Sequence, residues 1–161
     1  MSKHQNKYLL PIDKKYITHW HNKSSPAHKK SLKHSIDFMA PLGTPIHASF
    51  DGIVVWLKNN FHKSGGKKLI NAGNRIVIKH KNNEYSAYEH NKYKSAKIKV
   101  GQKVKKGQVI ALVGSTGWTN GENHLHFEVF NNPDKDESEG KTLKVSFQLK
   151  NKNRCKGYCY K

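Results

Sequence analysis

Residues 114–130 carry the clearest structural pattern of the chain: Gly114-Ser-Thr-Gly-Trp-Thr-Asn-Gly-Glu-Asn-His-Leu-His-Phe-Glu-Val-Phe130. After a glycine-bearing loop, residues of different kinds alternate from position 124 onward, which is typical of a β-strand. Successive side chains of a strand point to opposite faces, so His124 and His126 share one face. Two imidazoles on one face suit a site in which one binds a metal and the other transfers a proton.

Strand patterns recur along the whole chain, separated by Gly and Asn, whereas helical periodicity is scarce. Asn tolerates a positive φ, so Lys81-Asn-Asn83 predicts a hairpin turn. Long polar loops are expected at 58–73 and 131–141. The sequence therefore predicts a single all-β domain with long surface loops, with strands at 46–48, 52–57, 74–79, 84–89, 109–113, 125–130 and 143–149.

The composition bounds the function. The chain has 161 residues, enough for one domain, and 30 Lys+Arg against 11 Asp+Glu give a net charge of +19. This charge predicts attraction to polyanions, but the basic residues are scattered and form no nucleic-acid-binding motif, so no specific nucleic acid is expected. The sequence has no apolar run long enough to span a membrane and no secretory signal at its start. Cys155 and Cys159 are too few for a structural zinc site, and their redox state stays open.

We expect three parts along the chain. Residues 1–30 form an N-terminal segment that wraps over the sheet, and residues 31–130 form the main domain. Residues 131–161 hold a charged loop, a final strand and a basic tail with the two cysteines.

Two further positions suggest site chemistry. Asp37 stands in an otherwise apolar run, and a buried carboxylate is costly unless it is paired or coordinates a metal. His90 lies two residues after Tyr88, so a regular strand would direct both side chains to one face. A catalytic zinc needs three protein ligands and a position left for water, and a base must take the proton of that water.

Several motifs occur along the chain: Asp37 with Ala40-Pro-Leu-Gly-Thr-Pro45, Asp51-Gly-Ile-Val54, Tyr88-Glu-His90, the glycines Gly101 and Gly107, Gly114-Ser-Thr-Gly117, and His124-Leu-His-Phe-Glu128. They follow one another in the order found in the lysostaphin/LytM-like zinc endopeptidases of peptidoglycan, and the chain closely resembles this family from about residue 28 to residue 130. The resemblance implies a compact antiparallel β-sheet.

The resemblance implies a LytM-like fold with one zinc ion in a groove. It also implies roles: Asp37 and His126 as zinc ligands, His124 as the general base, and His90 as a second catalytic histidine that polarises the scissile carbonyl or stabilises the oxyanion. The implied substrates are peptide cross-links or stem peptides of bacterial cell walls. The family therefore predicts an extracellular or wall-associated monomer.

The chain departs from the family pattern at the first zinc ligand. Many members have a histidine four residues before the aspartate, where this chain has Lys33, and an ammonium has no lone pair for a metal. His28, nine residues before Asp37, is the preferred alternative, since some branches of the family place this ligand further upstream. The other candidates are His34, His19 and His21.

Three other functions compete with a zinc endopeptidase. A module of the same fold with a defective metal site would bind cell wall or regulate a hydrolase, and Lys33 motivates this alternative. Residues 100–114 are similar to the barrel-sandwich of biotinyl and lipoyl carriers, but the chain lacks the carriers' lysine motif. Nucleic-acid binding is supported by net charge alone.

Overall fold

The computed structural model describes residues 6–21 and 32–148, which form short strands and three single-turn 3-10 helices at Lys14–Tyr16, Lys67–Leu69 and Lys81–Asn83. The strands are β1 (Tyr8–Leu9), β2 (His19–His21), β3 (Ile36–Met39), β4 (Pro45–His47), β5 (Gly52–Lys58), β6 (Ser64–Gly65), β7 (Arg75–Lys79), β8 (Tyr85–Glu89), β9 (Lys103–Val104), β10 (Val109–Leu112), β11 (Gly117–Trp118), β12 (His124–Asn131), β13 (Lys141–Thr142) and β14 (Phe147–Gln148).

The main sheet is antiparallel and has the strand order β2-β3-β12-β8-β7-β5-β9, with β13 paired to the end of β12. The strands β5, β7 and β8 are rich in β-branched and aromatic residues, which pack well on a pleated surface. Asn82 and Asn83 have φ values of 61° and 54°, so the predicted hairpin between β7 and β8 is confirmed. The longest strand, β12, lies near the middle of the sheet and carries both histidines of the opening motif.

Three small pairs complete the fold. Strands β4 and β10 pair antiparallel, β1 pairs parallel with β14, and β6 pairs parallel with β11. The last of these pairs holds the 58–73 loop against residues 117–118. Strand β9 pairs with β5 and β10 pairs with β4, so the two strands of the 100–114 segment have different partners.

One face of the main sheet carries the principal hydrophobic core. Phe38, Leu125, Phe127 and Tyr88 lie in it and are almost fully buried. A smaller cluster of Val77, Tyr85, Ala87 and Phe130 occupies part of the opposite face. The alternation of apolar and polar residues along β12 thus separates a packed face from a polar one.

The predicted all-β class is confirmed. Of the strand predicted at 143–149, the structure has Phe147–Gln148 as β14, while residues 143–146 lie between strands and residue 149 lies outside the described residues. Leu143, Val145 and Phe147 do alternate, and all three side chains pack on the core. The backbone of this segment, however, bonds to two different strands. The Leu143 amide donates to Val129 O at 2.7 Å, beside the β12–β13 pair, while Phe147 pairs with Tyr8 of β1. The alternation therefore reflects burial of three side chains along an irregular path.

Within the described ranges, no helix combines the length and the apolar character that crossing a membrane requires.

Candidate metal and catalytic site

The register of the main sheet brings the predicted site residues into two rows. Asp37 of β3 lies opposite His126 of β12, and on its other side opposite His21 of β2. Residues directly opposite each other share a face, so these side chains stand on the polar face of the sheet. The second row contains His124, which lies opposite Met39 of β3. The sheet thus places both histidines of the His-x-His motif beside the strand that carries Asp37.

Asp37 and His126 form the centre of the site. Their Oδ1 and Nδ1 atoms are 2.7 Å apart, and both residues are buried. Burial disfavours the charged imidazole, but the contacts with Asp37 and Glu128 outweigh this effect and raise the pKa of His126 well above its ordinary value. A carboxylate oxygen and an imidazole nitrogen converging from neighbouring strands are ligands of the kind that zinc uses.

The donor set of the described residues fits two of the three ligands of a catalytic zinc. Within 6–21 and 32–148, no group of three or more His, Cys, Asp or Glu side chains is arranged to hold a metal. His28, the preferred third ligand, lies outside the described residues. Its role therefore stays a prediction.

The other candidates for the third ligand differ in position. His34 lies in the turn before β3, where its backbone N–H donates to Thr142 Oγ1 at 3.2 Å. Its role also stays a prediction. His21 is exposed and directly opposite Asp37, while His19 is exposed on the same strand with its ring centroid 5.0 Å from that of His21. Lys33 is exposed.

His90 joins the cluster by leaving its strand. Strand β8 ends at Glu89, and His90 has a φ of 64°, a left-handed backbone that is uncommon for a residue with a Cβ. Its ring centroid lies 4.7 Å from that of His124 and 6.0 Å from that of His126. The expectation that Tyr88 and His90 share one face is therefore wrong, because the left-handed turn brings His90 to the polar face while Tyr88 packs in the core.

Hydrogen bonds to backbone carbonyl groups determine which ring nitrogen of His90 and of His124 is left for a substrate or a water molecule. The His90 Nδ1–H donates to Thr116 O at 2.7 Å, and the His124 Nδ1–H donates to Glu122 O at 3.2 Å, because a carbonyl oxygen only accepts. Burial and then the neighbouring His124 and His126 lower the pKa of His90 to about 3, and burial also lowers the pKa of His124. Each neutral ring thus offers Nε2 as a proton acceptor, and His90 donates to a substrate oxygen only after Nε2 takes up a proton.

A buried amide network supports the His90 turn. The Asn74 side chain donates to Asn91 O at 3.0 Å and to Phe61 O at 2.8 Å, and it accepts from the Phe61 N–H at 2.9 Å. Thr116 Oγ1 accepts from the Asn74 N–H at 3.0 Å and donates to Asn91 O at 3.0 Å. These bonds join the 58–73 loop, the start of β7 and the segment after β8 around one point.

Beside the site lie three charged residues to which the sequence alone assigned no role. Arg75 forms ion pairs with Glu89 and Glu128, and Glu128 also approaches His126. The signal for Glu128 was present in the sequence, since it stands at the second position after His126 and so shares its face.

Comparison with known proteins places this geometry in a family. The sequence pattern of Peptidase family M23 matches residues 31–140. The peptidoglycan DD-endopeptidase ShyA of Vibrio cholerae is 39% identical over 105 residues, which are 65% of this chain and 22% of that protein. The DD-carboxypeptidase/endopeptidase Mpg of Neisseria meningitidis is 38% identical over 101 residues, covering 63% of this chain and 20% of that protein. The chain thus spans about a fifth of the length of these relatives.

Solved structures agree with the sequence relatives. A zinc-containing peptidase from Vibrio cholerae has a TM-score of 0.61 at 31% identity, covering 88% of this chain and 40% of that one. The catalytic domain of the antimicrobial peptidase lysostaphin from Staphylococcus simulans has a TM-score of 0.50 at 28% identity, covering 67% of this chain and 74% of that one. These matches confirm the resemblance to the lysostaphin/LytM-like group, and the chain belongs to peptidase family M23.

Proposed function

We propose that this chain is a zinc-dependent endopeptidase that hydrolyses peptide bonds in bacterial peptidoglycan. The observation that carries the proposal is the pairing of Asp37 with His126 at 2.7 Å beside the imidazoles of His124 and His90. Family membership supports it, as do relatives whose names include peptidoglycan DD-endopeptidase.

Each residue has a distinct proposed role. Asp37 and His126 would hold the metal together with His28, and a bound zinc ion would supply Lewis acidity and lower the pKa of a water molecule. His124 would accept a proton from the attacking water on Nε2, since its Nδ1–H donates to Glu122 O. His90 lies beside His124 with the same nitrogen available, and it assists at the carbonyl oxygen once Nε2 carries a proton.

The proposed substrate determines where the protein acts. Peptide cross-links or stem peptides of the wall would place it outside the cell or in the wall, where we propose that it works as a monomer. The net charge of +19 would attract it to anionic wall polymers before the peptide enters the site.

A second candidate function is a catalytically inactive module of the same fold that binds cell wall or regulates a hydrolase. The observation that favours it is the exposed Lys33 at the position where many family members have the first ligand. The number of zinc ions per chain separates the two candidates, because a defective site would bind zinc poorly.

The deciding experiment measures zinc per chain by elemental analysis, together with release of peptides from purified peptidoglycan. We expect about one zinc in the wild type. His126→Ala should lose zinc and activity together, while His124→Ala should keep zinc and lose turnover. A wild type without zinc, even after incubation with the metal, would establish the inactive module instead.

The third ligand is identified by a matched pair of variants. His28→Ala should lose zinc, whereas His34→Ala should retain it, since His28 is the preferred third ligand and His34 lies in the turn before β3. Zinc retained by His28→Ala and lost in His21→Ala would move the third ligand to strand β2.

A further inference from the structure

Glu128 is a buried carboxylate next to the proposed metal pair. It follows His126 by two positions on β12, so both side chains stand on the polar face, and Glu128 is only 1% exposed. Its Oε2 accepts from Ser35 Oγ at 2.9 Å and lies 3.8 Å from His126 Nε2, an ion-pair distance. A carboxylate this deeply buried costs free energy unless strong partners hold it.

Arg75 is the strong partner. Its Nη2 donates to Glu128 Oε1 at 2.9 Å and to Ser138 O at 2.6 Å, and its Nη1 donates to Glu89. A guanidinium presents several donors in one rigid plane, so these bonds fix the position of Glu128 as well as its charge. Arg75 keeps a second carboxylate, Glu89, and therefore does not depend on Glu128 alone for charge balance.

The two nitrogens of His126 consequently face two different carboxylates. Nδ1 lies 2.7 Å from Asp37 Oδ1, while Nε2 faces Glu128 Oε2. Rotating the imidazole by half a turn would put Cδ2 in the place of Nδ1 and Cε1 in the place of Nε2, so both nitrogens would lose their carboxylates. A carboxylate that holds the outer nitrogen of a metal-binding histidine fixes its tautomer and strengthens it as a ligand.

We propose that Glu128, held by Arg75 and Ser35, is a positioning residue that fixes the His126 ring with Nδ1 toward Asp37 and so prepares the pair to bind a divalent metal. This inference rests on the proposed function. The alternative is that Glu128 only neutralises Arg75, in which case its loss would change stability and leave metal affinity unaltered.

The test compares Glu128→Gln with Glu137→Gln. Glutamine keeps the shape of Glu128 and an oxygen for Arg75, but the group then facing Ser35 and His126 is an amide NH₂, which cannot accept from Nε2. Glu137 receives the same chemical change at a site where its carboxylate binds Lys79 and Tyr85. Ser35→Ala provides a milder variant that removes one bond to Oε2 and keeps the charge.

Zinc affinity is measured by chelator competition on the folded proteins. We expect Glu128→Gln to weaken zinc binding about 10- to 100-fold. Ser35→Ala should weaken it less, and Glu137→Gln should match the wild type. Wild-type zinc affinity in Glu128→Gln, with or without a lower unfolding midpoint, would overturn the positioning role.

A second readout separates this inference from the proposed function. In the zinc-free proteins, ¹⁵N-edited NMR of the imidazoles reports the Nε2–H of His126 and the charge that it faces. We expect an Nε2–H signal in the wild type that is shifted or lost in Glu128→Gln and unchanged in Glu137→Gln. If the wild type binds no zinc, the proposed function fails, and unchanged His126 signals in Glu128→Gln would overturn this inference independently.

Discussion

Gly73 packs against the two atoms whose hydrogen bond orients the His90 ring. A Cβ at this position would be 2.8 Å from Thr116 O and 3.3 Å from His90 Nδ1, the acceptor and donor of the bond that orients the ring. The first distance is shorter than ordinary packing allows, and the obstacle is backbone. The absence of a side chain at position 73 is therefore part of how His90 is held.

We predict that Gly73→Ala lowers turnover by displacing His90 and leaves zinc content unchanged. Overpacking of this kind costs about 1–3 kcal/mol of folding stability. The measurements are peptide release from peptidoglycan, zinc per chain and urea unfolding. Gly66→Ala is the matched control, because its nearest contact would be Asn120 Oδ1 at 3.8 Å. Equal turnover in the two variants would contradict the role given to Gly73.

His80 predicts how stability depends on pH. It is buried, with Nδ1 on Asp51 O and Nε2 on Ser86 Oγ, each at 2.8 Å, and burial lowers its pKa to about 4. The folded-state pKa thus lies below that of the unfolded chain, about 6.5. The stabilisation by neutral His80 is complete above pH 6.5 and is lost as the pH falls towards 4.

We therefore expect His80→Gln to flatten the fall in unfolding free energy between pH 6.5 and 4 by about 1.4 kcal/mol per pH unit. Urea unfolding of the zinc-free protein at several pH values measures this slope. The exposed His62→Gln serves as control. A slope in His80→Gln as steep as that of the wild type would show that His80 does not carry the effect.

At the scale of single residues, alternation predicted the shared face of His124 and His126 because β12 is regular there. It failed for His90, since a left-handed residue reverses the direction that strand periodicity assigns. The sequence assigned no role to Arg75 or Glu89. The ion pairs that involve them join strands β7, β8 and β12, so they depend on the register between strands.

At the scale of elements, Asn74 connects the 58–73 loop to the strand ends around His90. It is fully buried, and its amide bonds both the N–H and the C=O of Phe61. The loop is polar, and its short strand β6 pairs with β11 over only two residues. The amide of Asn74 therefore holds the loop at Phe61, while Ser64 and Gly65 hold it against residues 117–121.

We predict that Asn74→Ala destabilises the fold by about 1–3 kcal/mol, because it removes the buried amide that bonds both the N–H and the C=O of the half-buried Phe61. Urea unfolding gives the free-energy change, and amide hydrogen exchange should show faster exchange at Phe61. The exposed Asn60→Ala in the same loop should change stability by no more than about 0.5 kcal/mol. Identical unfolding curves for the two variants would refute the anchoring role.

Element prediction succeeded for strands whose residues carry a clear pattern of their own and failed for several short strands. Strands β7 and β8 and their hairpin were identified from local pattern, since one turn defines their register. The short strands β1, β2 and β6 were not predicted, because two or three residues carry no periodicity. The apolar alternation at 143–149 predicted one continuous strand, but it comes from packing of the side chains on the core. The backbone partners change along the segment from β12 to β1.

At the scale of the whole molecule, the sequence predicted the all-β class and the family. It did so because several family motifs occur, each as a short continuous stretch of sequence.

We predict from the net charge of +19 that binding to cell walls bearing anionic polymers weakens with salt. The screening length falls to about 10 Å at 0.1 M ionic strength, so long-range attraction is reduced first.

Co-sedimentation with intact and polymer-stripped walls at low and high NaCl measures this effect. Retention on intact walls should fall with salt, and retention on stripped walls should change little. Salt-independent binding to intact walls would show that contacts other than net charge retain the protein.

The parallel pairing of β1 with β14 has a practical consequence for building hybrid proteins. Tyr8 lies beside Phe147, so the two ends of the described unit leave the same region of the surface. Asn6 is bonded to Lys81 O and Glu84, at the opposite end of β8 from His90, a span of about 16 Å. A cargo domain joined ahead of Asn6 would therefore be displayed at a distance from the His90 cluster, leaving that part of the surface uncovered.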